Sequence, residues 1–201
     1  MQENTTETPI TTTERPTHIT IPNLLTMARI VAIPVIVLVY YLPYEWSYLA
    51  SAIIFAGAGI TDWLDGYLAR KWGQMTKLGA FLDPVADKLI VAIALVVLVE
   101  AHNTIWMVIP AIVIVGREIT ISALREWMAE LGKRASVAVS YIGKVKAFMQ
   151  MVAITGLLGN EVNLDSGVVI LAYVLLYIAT ILTLWSMLVY LKAAWPELRE
   201  S

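Results

Sequence analysis

Cysteine is absent from this chain of 201 residues, so it holds no disulfide and uses no thiolate chemistry. Charged residues are scarce too, at 15% against 59% hydrophobic, a balance that argues against a soluble all-helical domain. No basic stretch leads into a short apolar segment at the beginning. Residues 1–18 are polar and rich in Thr, Glu and Pro, so no cleavable signal peptide is expected and a disordered tail is. The two histidines, His18 and His102, carry no expected role. Lys and Arg are missing from the segments 43–47, 100–104 and 159–167, and gather instead in the terminal regions, in 70–88 and in 117–146. That asymmetry sets the basic turns and both termini on the cytoplasmic side.

Apolar runs of spanning length recur along nearly the whole chain. Six spans are expected, at about 22–42, 47–70, 77–100, 104–131, 136–159 and 167–192, with connections too short for a second domain. The expectation is an all-α polytopic membrane protein: a cytoplasmic tail over 1–18, then six transmembrane helices over 19–201 around a polar cavity in the inner leaflet. Trp46 and Trp106 mark outer span ends, and Trp72 and Trp195 inner ones. Tyr173, Tyr177 and Trp185 on the sixth span suit a lipid groove or a dimer face.

The cavity follows from where charge falls within the spans. The third is apolar from Leu89 to Val99 and carries Asp83, Asp87 and Lys88 in its inner half. The fourth is apolar from Ile105 to Val115, then bears Arg117, Glu118 and Arg125, and the fifth holds Lys144 and Lys146 near its inner end. Charges are expensive in lipid and normally face a bundle interior or a water-filled space. Asn23, Thr26 and Arg29, at i, i+3 and i+6, add a polar stripe to the first span. Two readings stand for it: a capped helix end with a snorkelling arginine, or a ligand contact.

Four carboxylates dominate the centre. Asp62 and Asp65 are spaced i,i+3, and Asp83 and Asp87 i,i+4, so each pair shares a helix face. The polar turn between them, Lys71 to Thr76, makes their helices antiparallel neighbours and brings both pairs to similar depth. Four carboxylates so close cannot all stay ionised without cations. Oxygen ligands suit hard divalent ions such as Mg²⁺ or Mn²⁺, and two such ions suit phosphoryl chemistry. Pro84 either kinks the third helix beside this cluster or sits in its first turn.

The pattern D-x-x-D-G-x-x-A-R, eight residues, then G-x-x-x-D-x-x-x-D is met by Asp62, Asp65, Gly66, Ala69, Arg70, Gly79, Asp83 and Asp87. It resembles the signature of the CDP-alcohol phosphotransferase family. The likeness runs over about residues 21–195, including 116–134 and the segment around Gly143 to Lys146. The resemblance implies that Asp62, Asp65 and Asp83 hold two metal ions on a CDP diphosphate, and that Asp87 is the general base and a further metal ligand. CDP-diacylglycerol contacts are then expected at Asn23, Thr26, Arg29, Gly66, Arg70, Thr76 and Gly79; Thr76 rests on the resemblance, Gly66 otherwise serves helix packing and Arg70 the positive-inside rule. The acceptor hydroxyl would attack the β-phosphorus, with CMP leaving.

Arg117, Arg125, Lys144 and Lys146 would then bind the phosphate of the acceptor, a group that serine or choline lacks. Glycerol 3-phosphate is the expected acceptor and inositol 3-phosphate the alternative. The other reading of these basic residues is that they only obey the positive-inside rule. A cation-coupled transporter is the rival from another class, and the chain lacks the inverted repeat or paired broken helices that would favour it. The resemblance further implies a homodimer in the bacterial cytoplasmic membrane, with the active site on the cytoplasmic side and no nucleic-acid partner.

Overall fold

The computed structural model describes residues 21–72, 77–131 and 141–200, which form six α-helices with no strand among them. In order these are α1 (Ile21–Tyr40), α2 (Trp46–Trp72), α3 (Lys77–His102), α4 (Ile105–Glu130), α5 (Tyr141–Leu158) and α6 (Gly167–Glu200). The tail, and the expected start of the fifth span at 136, lie outside the described residues. Helix α1 opens at Ile21–Pro22, where proline's missing N–H is harmless because first-turn donors have no helical acceptor. Helix α6 continues past Lys192 to Glu200, since Ala193, Ala194, Glu197 and Leu198 are good helix formers that need no lipid around them. Pro84 stands inside α3, well beyond its first turn, and so removes the helical donor for the Ala80 carbonyl.

The turn between α3 and α4 is tight. Asn103 takes a left-handed φ of 42°, which asparagine tolerates better than most residues. Thr104 then caps α4, its hydroxyl accepting from the Trp106 N–H at 3.4 Å.

Helix α3 is central and touches α1, α2, α4 and α5, while α6 lies along α5 and also meets α4. Phe55, Leu95, Leu98, Met107, Ile114, Ile154, Leu157 and Leu176 fill the interior. The α5–α6 seam closes at Gly156, where a Cβ would stand 3.1 Å from that of Ala172. Small residues of this kind let helices meet without a hydrophobic drive between them. At the α3–α4 turn end of the bundle Tyr173 and His102 Nδ1 share a hydrogen bond of 2.8 Å, and the Tyr177 hydroxyl donates to the Trp106 carbonyl at 2.9 Å. These two tyrosines tie α6 to α3 and α4, whereas Trp185 faces outward.

Much of the exterior is apolar, with Val31, Leu38, Ile53, Ile112, Ile181 and Leu188 all exposed. A water-soluble surface does not carry so continuous an apolar coat. Asn23–Tyr40, Ile105–Glu130 and Gly167–Lys192 are each long and apolar enough to cross a bilayer. Helices α2 and α3 match them in length, at 27 and 26 residues, but the end of α2 and the start of α3 hold Asp62, Asp65, Asp83 and Asp87. The protein is an all-α, multi-pass membrane protein.

Candidate active site

The first turns of α1 lie against the acidic portions of α2 and α3. Asn23, Thr26 and Arg29 are all buried, as their shared helical face requires. The Thr26 hydroxyl donates to Asp83 Oδ1, and Arg29 Nη1 donates to Asp87 Oδ1. The same Nη1 lies 3.0 Å from Asp62 Oδ1. Arg29 therefore does not snorkel: its side chain is 1% exposed and joins a carboxylate of α2 to one of α3. Asp62 and Asp87 are each 43% exposed in their side chains, so both keep a solvent-facing edge.

That edge opens on a cavity of about 250 Å³ between α1, α2, α3, α4 and α5. Its wall includes Arg29, Asp62, Asp87, Lys88, Glu118, Lys146 and Gln150, with apolar Ala58, Ile90, Val91, Ala147 and Met151. Gly59 completes it for a steric reason. A Cβ there would come within 2.3 Å of the Met151 methyl, so the thioether occupies the room that glycine leaves.

A second charged cluster meets the chamber from α4 and α5. Glu118 Oε1 accepts from Lys146 Nζ at 3.2 Å and from Arg117 Nη1 at 2.9 Å. Arg117 Nη2 also donates to Ser186 on α6 at 3.2 Å. One carboxylate thus holds two cations, Lys146 buried and Arg117 nearly so. Lys146 faces the chamber itself, and Arg117 stands behind it. Arg125 is exposed and engages Tyr190, with the guanidinium 5.2 Å from the ring centroid and Nη2 3.2 Å from the hydroxyl.

The structure thus brings Arg29, Asp62, Asp87 and Lys146 around one space, with Asp83 held by Thr26 beside it, and leaves Arg125 out of its lining. Asp65, Gly66 and Arg70 belong to α2, Gly79 is buried in α3, and Lys144 belongs to α5. Thr76 lies outside the described residues, as do the side chains of Asp65, Arg70 and Lys144. Among the described residues no three His, Asp or Glu side chains gather closely enough to hold a metal ion by themselves. Sequence reasoning passed over Glu118 and Gln150 as site residues. The signal for Gln150 was its i,i+4 spacing from Lys146; for Glu118 it was the need of buried cations for a counter-charge.

Residues 19–185 match the family described as CDP-alcohol phosphatidyltransferase. The chain belongs to that family. Among CDP-alcohol phosphatidyltransferases it is 54% identical over 183 residues to a Yersinia pestis (strain Pestoides F) protein named CDP-diacylglycerol–glycerol-3-phosphate 3-phosphatidyltransferase, covering 91% of this chain and 99% of that one. It is 56% identical over 180 residues to the protein of the same name from Shigella flexneri serotype 5b (strain 8401), covering 90% and 97% respectively.

Proposed function

We propose that the protein transfers the phosphatidyl group of CDP-diacylglycerol to sn-glycerol 3-phosphate, giving phosphatidylglycerophosphate and CMP. The observation that carries this reading is a single chamber with Asp62 and Asp87 gathered on Arg29 and Lys146 in the same lining. A phosphorylated alcohol needs both features, a carboxylate for its hydroxyl and a cation for its phosphate. The names carried by relatives that cover nearly all of this chain support the same substrates.

Asp87 is the general base. Its carboxylate takes the proton of the acceptor hydroxyl as that oxygen attacks the β-phosphorus, and CMP departs with the electron pair of the broken P–O bond. Lys146 binds the acceptor's phosphate, and Arg117, Arg125 and Lys144 supply further positive charge for it, which Glu118 offsets in part. Asn23, Thr26, Arg29, Gly66, Arg70, Thr76 and Gly79 form the CDP-diacylglycerol side. The oxygen-only donors on α2 and α3, two of them with open edges toward the chamber, fit hard divalent cations. Asp62, Asp65, Asp83 and Asp87 would hold two such ions, Mg²⁺ or Mn²⁺, which neutralise the diphosphate when bound. The site lies on the cytoplasmic side of the inner membrane, in a homodimer.

The test is CMP release by the purified full-length protein, offered CDP-diacylglycerol and a panel of alcohols with and without a chelator. Release that requires both glycerol 3-phosphate and a divalent ion is expected. Release with inositol 3-phosphate alone would reassign the acceptor, and ion flux in proteoliposomes without any CMP would overturn the reading.

A further inference from the structure

We infer that Gln150 reads the middle hydroxyl of the acceptor and so determines acceptor specificity. The inference rests on the acceptor entering the chamber beside Lys146. Gln150 is 6% exposed and lines that chamber, and its Oε1 has no hydrogen-bond partner among the described residues. Buried polar atoms in folded proteins are nearly always paired, and an exception invites a functional account. Here the missing partner is supplied by substrate. The terminal torsion of a glutamine is soft, so the amide turns toward an arriving donor at little expense.

Position narrows the donor. Lys146 and Gln150 are i,i+4 on α5, on one face, with Gln150 about 6 Å farther along the axis. Glycerol 3-phosphate has three polar groups on successive carbons. Its phosphate is taken by Lys146 and its reacting hydroxyl by Asp87, which leaves the middle hydroxyl. The apolar part of the lining, Ile90, Val91 and Met151, offers that hydroxyl nothing to bond. A carbonyl oxygen accepts from a hydroxyl, and a neutral amide does so without repelling the phosphate that a carboxylate there would oppose.

The test compares two acceptors on the full-length protein: sn-glycerol 3-phosphate and propane-1,3-diol monophosphate, the same chain without its middle hydroxyl. Sites built to bond a hydroxyl discriminate against analogues lacking it. The native protein should favour glycerol 3-phosphate by about tenfold in kcat/KM. Gln150→Leu and the equally long Gln150→Met should each bring that ratio toward one, with KM for CDP-diacylglycerol as a check on folding. A native protein that treats both acceptors alike, or variants that lower both in proportion, would overturn the assignment. Lys146→Gln separates the two levels. If it leaves KM for glycerol 3-phosphate untouched, the chamber is not the acceptor site and both ideas fall. If KM rises while the Gln150 variants keep the native ratio, only the role of Gln150 falls.

Discussion

Replacing Glu118 by glutamine preserves the side chain's shape and one acceptor oxygen but deletes the charge shared by two cations. Those cations are well shielded from water: the side chain of Lys146 is 7% exposed and that of Arg117 10%. Removing one member of a buried ion pair costs about 3–5 kcal/mol, because the remaining charge stays desolvated. Glu118 itself is 28% exposed, which lets water screen part of the loss, and the Arg117–Ser186 bond survives. We expect Glu118→Gln to lower unfolding free energy by about 3 kcal/mol, toward the weaker end of that range. Against a typical total of about 5–15 kcal/mol, this is readily measured by thermal or denaturant unfolding in detergent. Glycerol 3-phosphate should rescue the variant more than it stabilises the native protein, since its phosphate returns negative charge to the same cations. A variant that unfolds within about 0.5 kcal/mol of native, the range of ordinary surface changes, would refute the reasoning. The cluster would then be solvated, with Glu118 a bystander.

Asp87→Asn should lower CMP release by at least about a hundredfold, the ordinary contribution of a positioned base, while CDP-diacylglycerol binding stays measurable. Turnover near native would remove Asp87 from that role. Arg29→Lys keeps the charge but replaces a planar fork with a point cation, and should cost about 1 kcal/mol of stability and about tenfold in kcat. Equal melting and equal turnover would show that bridging Asp62 and Asp87 is dispensable. Tyr173→Phe removes the partner of His102 Nδ1, whose Nε2 already lacks one among the described residues. It should destabilise by about 1–2 kcal/mol and leave CMP release unchanged; altered acceptor kinetics would contradict a purely structural bond.

The sequence made the membrane class legible because lipid imposes its length and apolarity on each span. The acidic centre was legible for a different reason: helix periodicity alone puts Asp62 with Asp65 and Asp83 with Asp87. What periodicity cannot supply is the partner across a helix boundary. Thr26 and Arg29 were visible as a polar stripe, yet nothing in α1 says that they turn onto Asp83 and Asp87. Likewise Arg117, Arg125 and Lys146 looked like one basic set when read by charge. Packing separates them, sending Arg125 to Tyr190 and leaving Lys146 at the chamber. Gln150 escaped because an uncharged polar residue in an apolar helix announces itself only once its unpaired oxygen is seen.

Where Gly59 faces the Met151 methyl, one side of the chamber is made of an unbranched thioether with several free torsions. Phosphorus passing from four neighbours to five swells sideways, and an unyielding boundary would resist that swelling. In the proposed reaction a supple wall would recede and return, so Asp62 and Asp87, held together on Arg29, would keep their aim through the change of shape.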